Sequence, residues 1–302
     1  MSKKYCGYVS IIGKPNVGKS SIINAILKKK VSITSRKSQT TRNNILGIKT
    51  TDNKQAIFID TPGLHIKSQK TMNKILNKSA QSIIEDSDIV LFVVQRLSIT
   101  EEDHAILSKL KETNPFSICV INKIDQISDK QRLLPFIEKI SDEYNFASII
   151  PISAKTNQNL QDLINKIEEH LPENDHIYDD AFNLTNNEDK FMISELIREK
   201  IIRNLGDELP HDTFVEIEEI KSKNKIIHVS AVIYVNRKSQ KQIVIGSNGD
   251  LLKKIGKEAR LDIEDYLKNK VFLKTWVKVK KNWNTDSSFI QSLGVGNNYE
   301  SN

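Results

Sequence analysis

A short motif near the N-terminus has the residue types and spacing of a phosphate-binding loop. GKPNVGKS at residues 13–20 follows the GxxxxGKS pattern, in which backbone N–H groups of a loop and of the following helix surround phosphates. Lys19 is expected to reach the β- and γ-phosphates, and Ser20 to offer its hydroxyl to Mg²⁺. The motif therefore predicts a nucleoside triphosphate site.

A second motif, DTPG, begins at Asp60 and has the Asp-x-x-Gly spacing of a γ-phosphate sensor. Asp60 is expected to hold Mg²⁺ directly or through water, and the backbone N–H of Gly63 to contact the γ-phosphate until hydrolysis. A first switch belongs in the polar segment TSRKSQTTRNN at residues 34–44. There Thr40 or Thr41 would supply another hydroxyl to Mg²⁺, and we favour Thr41.

The identity of the base is predicted by NKID, which runs from Asn122 to Asp125. The Asp125 carboxylate can accept hydrogen bonds from guanine N1–H and from the 2-amino group. Adenine offers no such pair of donors, and a buried polar group left unpaired costs about 1–3 kcal/mol. Ser153–Lys155 (SAK) would close the site, with the Ala154 N–H near guanine O6 and Lys123 over the ring. The order of the motifs therefore predicts GTP and not ATP.

These motifs give three groups of predicted residues. The nucleotide-binding residues are Gly13, Lys14, Pro15, Asn16, Val17, Gly18, Lys19, Ser20, Ser21, Thr40, Thr41, Asp60, Gly63, Asn122, Lys123, Asp125, Ser153, Ala154 and Lys155. The metal ligands are Ser20, Thr41 and Asp60, and the catalytic residues are Lys19, Thr41, Asp60 and Gly63.

The residue after Gly63 limits the expected rate of hydrolysis. Ras-type GTPases have a glutamine there that orients the attacking water, whereas this chain has Leu64. Leucine cannot form a hydrogen bond with water. We therefore expect slow intrinsic hydrolysis that a partner or an ion accelerates.

Alternating strand and helix patterns place these motifs in residues 1–172. Strands are predicted at Gly7–Ile12, Ala56–Asp60, Asp88–Val94, Phe116–Asn122 and Ala147–Pro151, with an antiparallel edge strand near Leu46–Thr50. Helices are predicted at Lys19–Leu27, Thr71–Glu85, Glu102–Lys111, Lys130–Tyr144 and Leu160–Leu171. Alternating βα units with nearly continuous apolar strands predict an α/β P-loop GTPase domain with a doubly wound, mainly parallel sheet. The motifs follow strand ends, where ligands bind in this architecture.

Residues 173–188 are acidic and polar and are predicted to be a linker. The following residues 189–283 have a different order of elements, and residues 284–302 form a tail. The predicted elements are helix Lys190–Leu205, strands Thr213–Ile220 and Ile226–Val235, helices Ser239–Ile245 and Asp250–Leu267, and strand Val271–Lys280. This α-β-β-α-α-β order around Gly246–Gly249 (GSNG) resembles an α+β type II KH domain, which binds single-stranded nucleic acid at a GxxG loop.

The candidate RNA-binding residues surround this loop. They are Ile243, Ile245, Gly246, Ser247, Asn248, Gly249, Lys253, Lys254 and Lys257. The glycines would allow close approach of the nucleic-acid backbone, and the lysines would hold phosphates. Ile243, Ile245 and Ile255 either line an apolar groove or belong to the core of the fold.

Length and charge agree with two domains that have different ligands. The chain has 302 residues, and Lys221–Lys281 contains 16 Lys and Arg against 5 Asp and Glu, whereas the remainder has 29 against 33. This asymmetry indicates a polyanion partner for the C-terminal part. No apolar run approaches the roughly 20 residues of a membrane span. Cys6 and Cys119 are expected to be buried thiols in a reducing cytosol.

Residues 5–294 resemble the Era family of bacterial GTPases with a C-terminal type II KH domain. The resemblance rests on GKPNVGKS, SRKSQTTR, DTPGLH, NKID, PISAK, FMISELIREKIIRNLGDELPH, VIGSNGDLLKKIG and TWVKVKKNW. It implies GTP and GDP as ligands, binding to 16S rRNA near its 3′ end, and a role in rRNA processing and assembly of the 30S ribosomal subunit. It also implies a cytoplasmic monomer with loose peripheral association at the inner membrane. In related GTPases with this loop and a hydrophobic residue after the DxxG motif, the asparagine that matches Asn16 can coordinate K⁺. The alternative role for Asn16 is to stabilise the turn of the loop.

Two other functions compete with a GTP-driven RNA switch. The first is an enzyme that modifies another substrate, as in tRNA-modifying relatives, but no nucleophile or metal constellation lies outside the GTPase motifs and the six histidines are scattered. The second is an RNA chaperone or assembly scaffold whose GTP binding is only weakly coupled to RNA binding. Lys19, Ser20 and Asp60 argue against vestigial GTP binding in such a scaffold, and weak coupling stays open as the alternative.

Overall fold

The structure is a computed structural model that describes residues 3–33, 45–60, 82–178, 186–205 and 213–281. The described residues divide into two compact units, one ending at residue 178 and the other beginning at residue 186. The division falls where the sequence pattern changes from alternating βα units to the α-β-β-α-α-β order.

The first unit is built around a sheet whose strands, among the described residues, number six. They are β1 (Tyr5–Ile12), β2 (Ile45–Thr51), β3 (Lys54–Asp60), β4 (Ile89–Gln95), β5 (Ser117–Asn122) and β6 (Ser148–Pro151). Their order is β2-β3-β1-β4-β5-β6, with β2 antiparallel to β3 and the other pairs parallel. The predicted doubly wound sheet and its antiparallel edge strand are therefore confirmed.

Helices cover both faces of this sheet. They are α1 (Lys19–Leu27), α2 (Glu101–Thr113), α3 (Leu133–Glu143) and α4 (Leu160–Glu169). Apolar residues of α1 and α4 share one buried cluster with Val9 and Leu91, whereas those of α2 and α3 share another with Ile12 and Phe92. Successive strand residues point to opposite faces, so the continuous apolar runs of β1 and β4 supply both clusters. Because β1, β3, β4 and β5 are parallel, their carboxyl ends lie at the same edge of the sheet.

Two predicted helices differ from the structure or lie partly outside it. Of Thr71–Glu85, only residues 82–85 are described, and they are helical. The helix predicted from Lys130 is instead a 3₁₀ turn at Lys130–Arg132, capped by the Asp129 side chain, followed by α3 from Leu133. Pro135 explains the later start, because a residue without an N–H fits only the first turn of an α-helix.

The second unit places three helices on one face of a three-stranded sheet, counted over the described residues. Its elements are α5 (Asn186–Asn204), β7 (Thr213–Lys223), β8 (Ile226–Val235), α6 (Lys238–Ile245), α7 (Asp250–Leu267) and β9 (Lys270–Val279). β8 is central, antiparallel to β7 and parallel to β9. Val229, Ala231, Ile233 and Val235 alternate along β8 and pack in one core with apolar residues of the helices. The predicted α-β-β-α-α-β order is confirmed.

The start of the predicted linker is part of the first unit. The Gln55 side chain accepts hydrogen bonds from the N–H groups of Ile177 and Tyr178, both 3.0 Å, and donates to the Tyr178 carbonyl at 2.7 Å. The Cys6 N–H donates to the Pro172 carbonyl at 3.0 Å. A composition-based boundary cannot reveal such bonds. The predicted range 173–188 therefore overlaps both the end of the first unit and the beginning of α5.

Across the part of the chain that the structure describes, none of the helices has the length and apolar character needed to span a membrane.

Candidate nucleotide site and nucleic-acid interface

The phosphate-loop motif connects β1 to α1 in a conformation that requires glycine at two positions. Gly13 has φ +150°, and a Cβ there would lie 2.5 Å from the Val93 carbonyl oxygen. Gly18 has φ +102°, and its Cβ would lie 2.3 Å from Asn122 Nδ2. A side chain at Gly13 would therefore collide with the backbone of β4, and one at Gly18 would collide with the Asn122 side chain.

Lys19 is the first residue of α1, and its buried side chain reaches back to the start of this loop. Its ammonium group donates to the carbonyls of Gly13 at 2.9 Å and Lys14 at 3.2 Å. Burial lowers the Lys19 pKa to about 8, and Asp60 partly opposes this effect. A phosphate dianion at the loop would stabilise the charged ammonium. The arrangement therefore fits the predicted contact with β- and γ-phosphates.

The Lys14 side chain is directed at the start of α2, whereas the prediction for this loop concerned its backbone N–H groups. Its ammonium group donates to Asp103 Oδ2 at 2.7 Å and to Thr100 Oγ1 at 3.1 Å, and both charged side chains are buried. Asp103 also caps the N-terminus of α2 through the Thr100 N–H at 2.9 Å. The Lys14 side chain thus connects the loop to α2, and the predicted contact of Lys14 with a phosphate is through its backbone N–H.

Four other residues of the motif and of the following helix differ in how far they are buried. Val17 is buried in the core, Asn16 is exposed with φ +66°, and Pro15 and Ser21 are half-buried.

The candidate metal site joins the start of α1 to the end of β3. The Ser20 hydroxyl donates to Asp60 Oδ2 at 2.7 Å, and Asp60 is fully buried. A hydroxyl and a carboxylate are hard oxygen ligands that suit Mg²⁺, so these residues fit the predicted ion. Thr40, Thr41, Gly63 and Leu64 lie outside the described residues, and their predicted roles stay predictions.

Asn122 joins the phosphate loop to the predicted base site. Its amide nitrogen donates to the Val17 carbonyl at 2.9 Å, and its amide oxygen accepts from the Lys123 N–H at 2.8 Å. The same oxygen accepts from the Ala154 N–H at 3.2 Å, the group predicted to approach guanine O6. Asn122 therefore holds the phosphate loop and the SAK segment beside the start of the NKID motif. In this structure the Ala154 N–H donates to Asn122.

Lys123 and Asp125 are each held by hydrogen bonds with residues of other segments. The Lys123 ammonium group donates to the Gln95 side chain at 2.6 Å and to the Asn16 carbonyl. Burial lowers the Lys123 pKa, Arg96 lowers it further, and Asp125 opposes the shift. The Ser153 hydroxyl holds one oxygen of the exposed Asp125 carboxylate at 2.7 Å.

The remaining residue of the SAK motif, Lys155, is exposed. The structure thus brings together the described residues of the GKPNVGKS, NKID and SAK motifs together with Asp60.

Sequence reasoning missed several residues that position the site. Gln95 ends an apolar strand at the sheet edge that carries the motifs, and this place was a usable signal. Asp103 was detectable as the last residue of the capping pattern Thr100-x-x-Asp103. Ser32 and Asn24 carry no local signal, because their contacts depend on how the chain returns from α1 to the sheet.

The GSNG loop turns between α6 and α7 and uses its glycines differently. Gly246 has φ +74°, and a Cβ there would lie 2.6 Å from Leu251 Cβ. Gly249 has φ +82° with no atom within 4 Å of an added Cβ. Gly246 is therefore required by packing, whereas Gly249 leaves open space beside the backbone. Ser247 and Asn248 between them are exposed.

The residues that flank the loop separate into surface and core. Ile243 is 50% exposed and Ile245 is half-buried, whereas Ile255 is fully buried. The suggestion that Ile255 lines a groove is therefore wrong, because this side chain points into the core of the second unit. Lys253, Lys254 and Lys257 are exposed on α7. Together these groups form a basic and partly apolar surface beside an open backbone.

Two family profiles match the chain at the places that the geometry singles out. A family described as "50S ribosome-binding GTPase" matches residues 8–123, and the KH domain family matches residues 208–284.

Curated proteins and solved structures match nearly the whole length. GTPase Era of Pseudomonas syringae pv. tomato is 47% identical over 96% of this chain and 97% of that protein. GTPase Era of Pseudomonas fluorescens strain Pf-5 is 46% identical over the same shares.

An alanine variant of Aquifex aeolicus Era bound to GDP·AlF₄⁻ is 34% identical with a TM-score of 0.91, covering 96% of this chain and 99% of that one. Era in complex with MgGDPNP and nucleotides 1506–1542 of 16S ribosomal RNA has the same identity and TM-score, with coverage of 97% and 99%. Identity of 47% across almost the entire length, with both units and their motifs in place, shows that the chain belongs to the Era family of GTPases.

Proposed function

We propose that this GTPase is a nucleotide-controlled RNA-binding switch that acts in 16S rRNA processing and assembly of the 30S ribosomal subunit. The observation that carries the proposal is that one chain contains both a nucleotide site and a candidate RNA-binding loop. In the nucleotide site, the side chains of Asn122 and Lys19 donate hydrogen bonds to backbone carbonyls of the phosphate loop. In the GxxG loop, the backbone at Gly249 has open space beside it.

The proposed hydrolysis of GTP uses positioning and charge. Lys19 would stabilise the β- and γ-phosphates, and Asp125 would select guanine. Mg²⁺ would be held by Ser20, Asp60 and Thr41, and when bound it would neutralise charge on the β- and γ-phosphate oxygens. Gly63 would contact the γ-phosphate through its N–H. Support comes from the buried Lys19 ammonium and from the Ser20–Asp60 hydrogen bond.

We also propose that K⁺ binds near Asn16 and accelerates the hydrolysis that Leu64, in place of a glutamine, would leave slow. Asn16 is exposed in the phosphate loop, and its backbone carbonyl accepts a hydrogen bond from the Lys123 ammonium group. A monovalent cation bound there would add positive charge beside the phosphates, so no additional charged side chain would be needed for this purpose.

The proposed RNA ligand is single-stranded 16S rRNA near its 3′ end. Gly249 would meet the RNA backbone, the three exposed lysines of α7 would hold phosphates, and Ile243 would contact a base. A solved Era that is 34% identical was crystallised with nucleotides 1506–1542 of 16S rRNA, which supports this choice. A monomeric state and peripheral membrane association stay predictions that rest on the resemblance alone.

A scaffold with weakly coupled GTP binding is the alternative. Turnover of GTP by the full chain tests the enzyme directly, with Lys19→Ala as the inactive variant and with K⁺ and Na⁺ buffers compared. We expect slow turnover, faster in K⁺ than in Na⁺, and at least 100-fold lower in Lys19→Ala, the order expected when a main charge-stabilising group is lost. Equal turnover in both buffers would remove the K⁺ proposal, and turnover that survives Lys19→Ala would contradict the assigned site.

A further inference from the structure

Ser32 makes a contact with the candidate metal site that its position in the sequence does not suggest. Its side chain is fully buried, and its hydroxyl donates to Asp60 Oδ2 at 2.7 Å. This is the same oxygen that accepts the Ser20 hydroxyl at 2.7 Å. Two hydroxyls from different segments therefore converge on one carboxylate oxygen.

The backbone of Ser32 is fixed by Asn24, which lies on α1 downstream of Lys19 and Ser20. The Asn24 side-chain oxygen accepts from the N–H groups of Val31 at 2.9 Å and Ser32 at 3.0 Å. Its amide nitrogen donates to the Ser32 carbonyl at 2.7 Å. The same helix thus supplies one metal-site hydroxyl directly and holds the residue that supplies the other.

The two hydroxyls differ in what a bound cation would do to them. Ser20 occupies the motif position whose hydroxyl coordinates Mg²⁺, so its bond to Asp60 would be exchanged for a bond to the metal. Ser32 has no such role in the motif, and its fixed backbone allows its hydroxyl to keep donating to Asp60. Partners of this kind orient metal-binding carboxylates, and their loss typically costs 10–100-fold in metal affinity.

We propose that Ser32 is a positioning residue of the Mg²⁺ site, which orients the Asp60 carboxylate without contacting the nucleotide. This inference rests on the proposed Mg²⁺ site. Its consequence is selective: without the Ser32 hydroxyl, binding of Mg²⁺ should weaken while the metal-independent binding of nucleotide is unchanged.

Ser10 provides a matched control for this proposal. It is a fully buried serine on β1, and within the described residues its hydroxyl has no hydrogen-bond partner. Ser10→Ala therefore removes a buried serine hydroxyl just as Ser32→Ala does, but leaves the Asp60 carboxylate untouched.

The test is binding of fluorescent GDP by the full chain, first in EDTA and then across a Mg²⁺ titration. We expect Ser32→Ala to raise the midpoint of the Mg²⁺ titration by about 10-fold, with GDP affinity in EDTA within about twofold of the unmodified chain. Ser32→Cys, which keeps a weak donor, should give a smaller increase, and it remains usable if the alanine variant folds poorly. Ser10→Ala should change neither quantity.

Three outcomes would overturn the proposal, and they are distinguishable. An unchanged Mg²⁺ midpoint in both Ser32 variants would show that the hydroxyl does not position Asp60. An equal loss of GDP affinity with and without Mg²⁺ would show a general structural role. If the unmodified chain itself binds GDP with no dependence on Mg²⁺, the proposed metal site fails, and the role of Ser32 fails with it.

Discussion

Three lysines of the nucleotide site have different partners, although the sequence presents them as similar members of short motifs. Lys14 pairs with a buried carboxylate, Lys19 binds two carbonyls of its own loop, and Lys123 binds Gln95 and the loop carbonyl of Asn16. Motif spacing was sufficient to predict that Lys19 and Asp60 lie in one site, and their roles there stay predictions. It was insufficient for Lys14, because the partner Asp103 is remote in sequence and becomes adjacent only when α2 packs beside the loop.

The unusual acidity of Lys19 leads to a prediction about pH. Its pKa is about 8 against an ordinary 10.5, so the chain without nucleotide loses this charge as the pH rises through about 8. A bound phosphate favours the charged form, so binding above that pH takes up a proton. GDP affinity should therefore fall between about pH 8 and pH 9, by up to about 10-fold per unit.

The measurement is the GDP dissociation constant from about pH 7 to pH 9 for the unmodified chain and for Lys19→Gln. The glutamine carries no charge at any pH, so the ratio of the two constants isolates Lys19 from titration of guanine and of other groups. A ratio that stays constant across this range would contradict the low Lys19 pKa.

At the scale of elements, the buried pair of Lys14 and Asp103 connects the phosphate loop to the N-terminus of α2. Removing one partner of a buried ion pair typically costs about 3–5 kcal/mol, because the other charge is left without compensation. Asp103→Ala should lower the free energy of unfolding by about this amount, measured by urea denaturation. The double variant Lys14→Met with Asp103→Leu should recover most of the loss. A double variant as unstable as the single one would show that the cap of α2, and not the ion pair, provides the stability.

The GSNG loop offers a second test at this scale, because its two glycines serve different purposes. Gly249→Ala meets no neighbouring atom, so it should cost only about 1–2 kcal/mol for the left-handed backbone. The added methyl group occupies the space proposed for the RNA backbone, so RNA affinity should fall at least 10-fold. Gly246→Ala should instead destabilise the second unit more strongly through Leu251. Unchanged RNA affinity in a folded Gly249→Ala variant would argue against the assigned interface.

Most elements could be predicted from the sequence because apolar runs and helical periodicity determine them locally. The strands of both sheets and the helices α1, α2 and α4 overlap their predicted ranges. The predictions failed where a distant side chain decides the local structure. Residues 173–178 have a polar composition typical of linkers, yet Gln55 fixes them to the first unit. Ile255 has the same apolar character as Ile243, and only the direction of each side chain on its helix separates core from surface.

At the scale of the whole molecule, the chain carries a nucleotide site in one compact unit and a candidate RNA site in the other. Coupling between them requires that each ligand has different affinities for two states of the protein. The charge asymmetry agrees with an RNA site in the second unit, because the excess of basic residues falls within Lys221–Lys281. A switch therefore predicts that the nucleotide changes RNA affinity, whereas a scaffold predicts that it does not.

The most direct test is binding of an oligonucleotide with the 3′-end sequence of 16S rRNA, with a scrambled oligonucleotide as the control. It is measured at one fixed salt concentration, because phosphate contacts make affinity depend on salt. The full chain is loaded either with a non-hydrolysable GTP analogue or with GDP. We predict at least 10-fold tighter binding of the native sequence with the analogue, which corresponds to about 1.4 kcal/mol of coupling. Equal affinity in the two nucleotide states would contradict the switch and leave a GTPase and an RNA-binding module that share one chain.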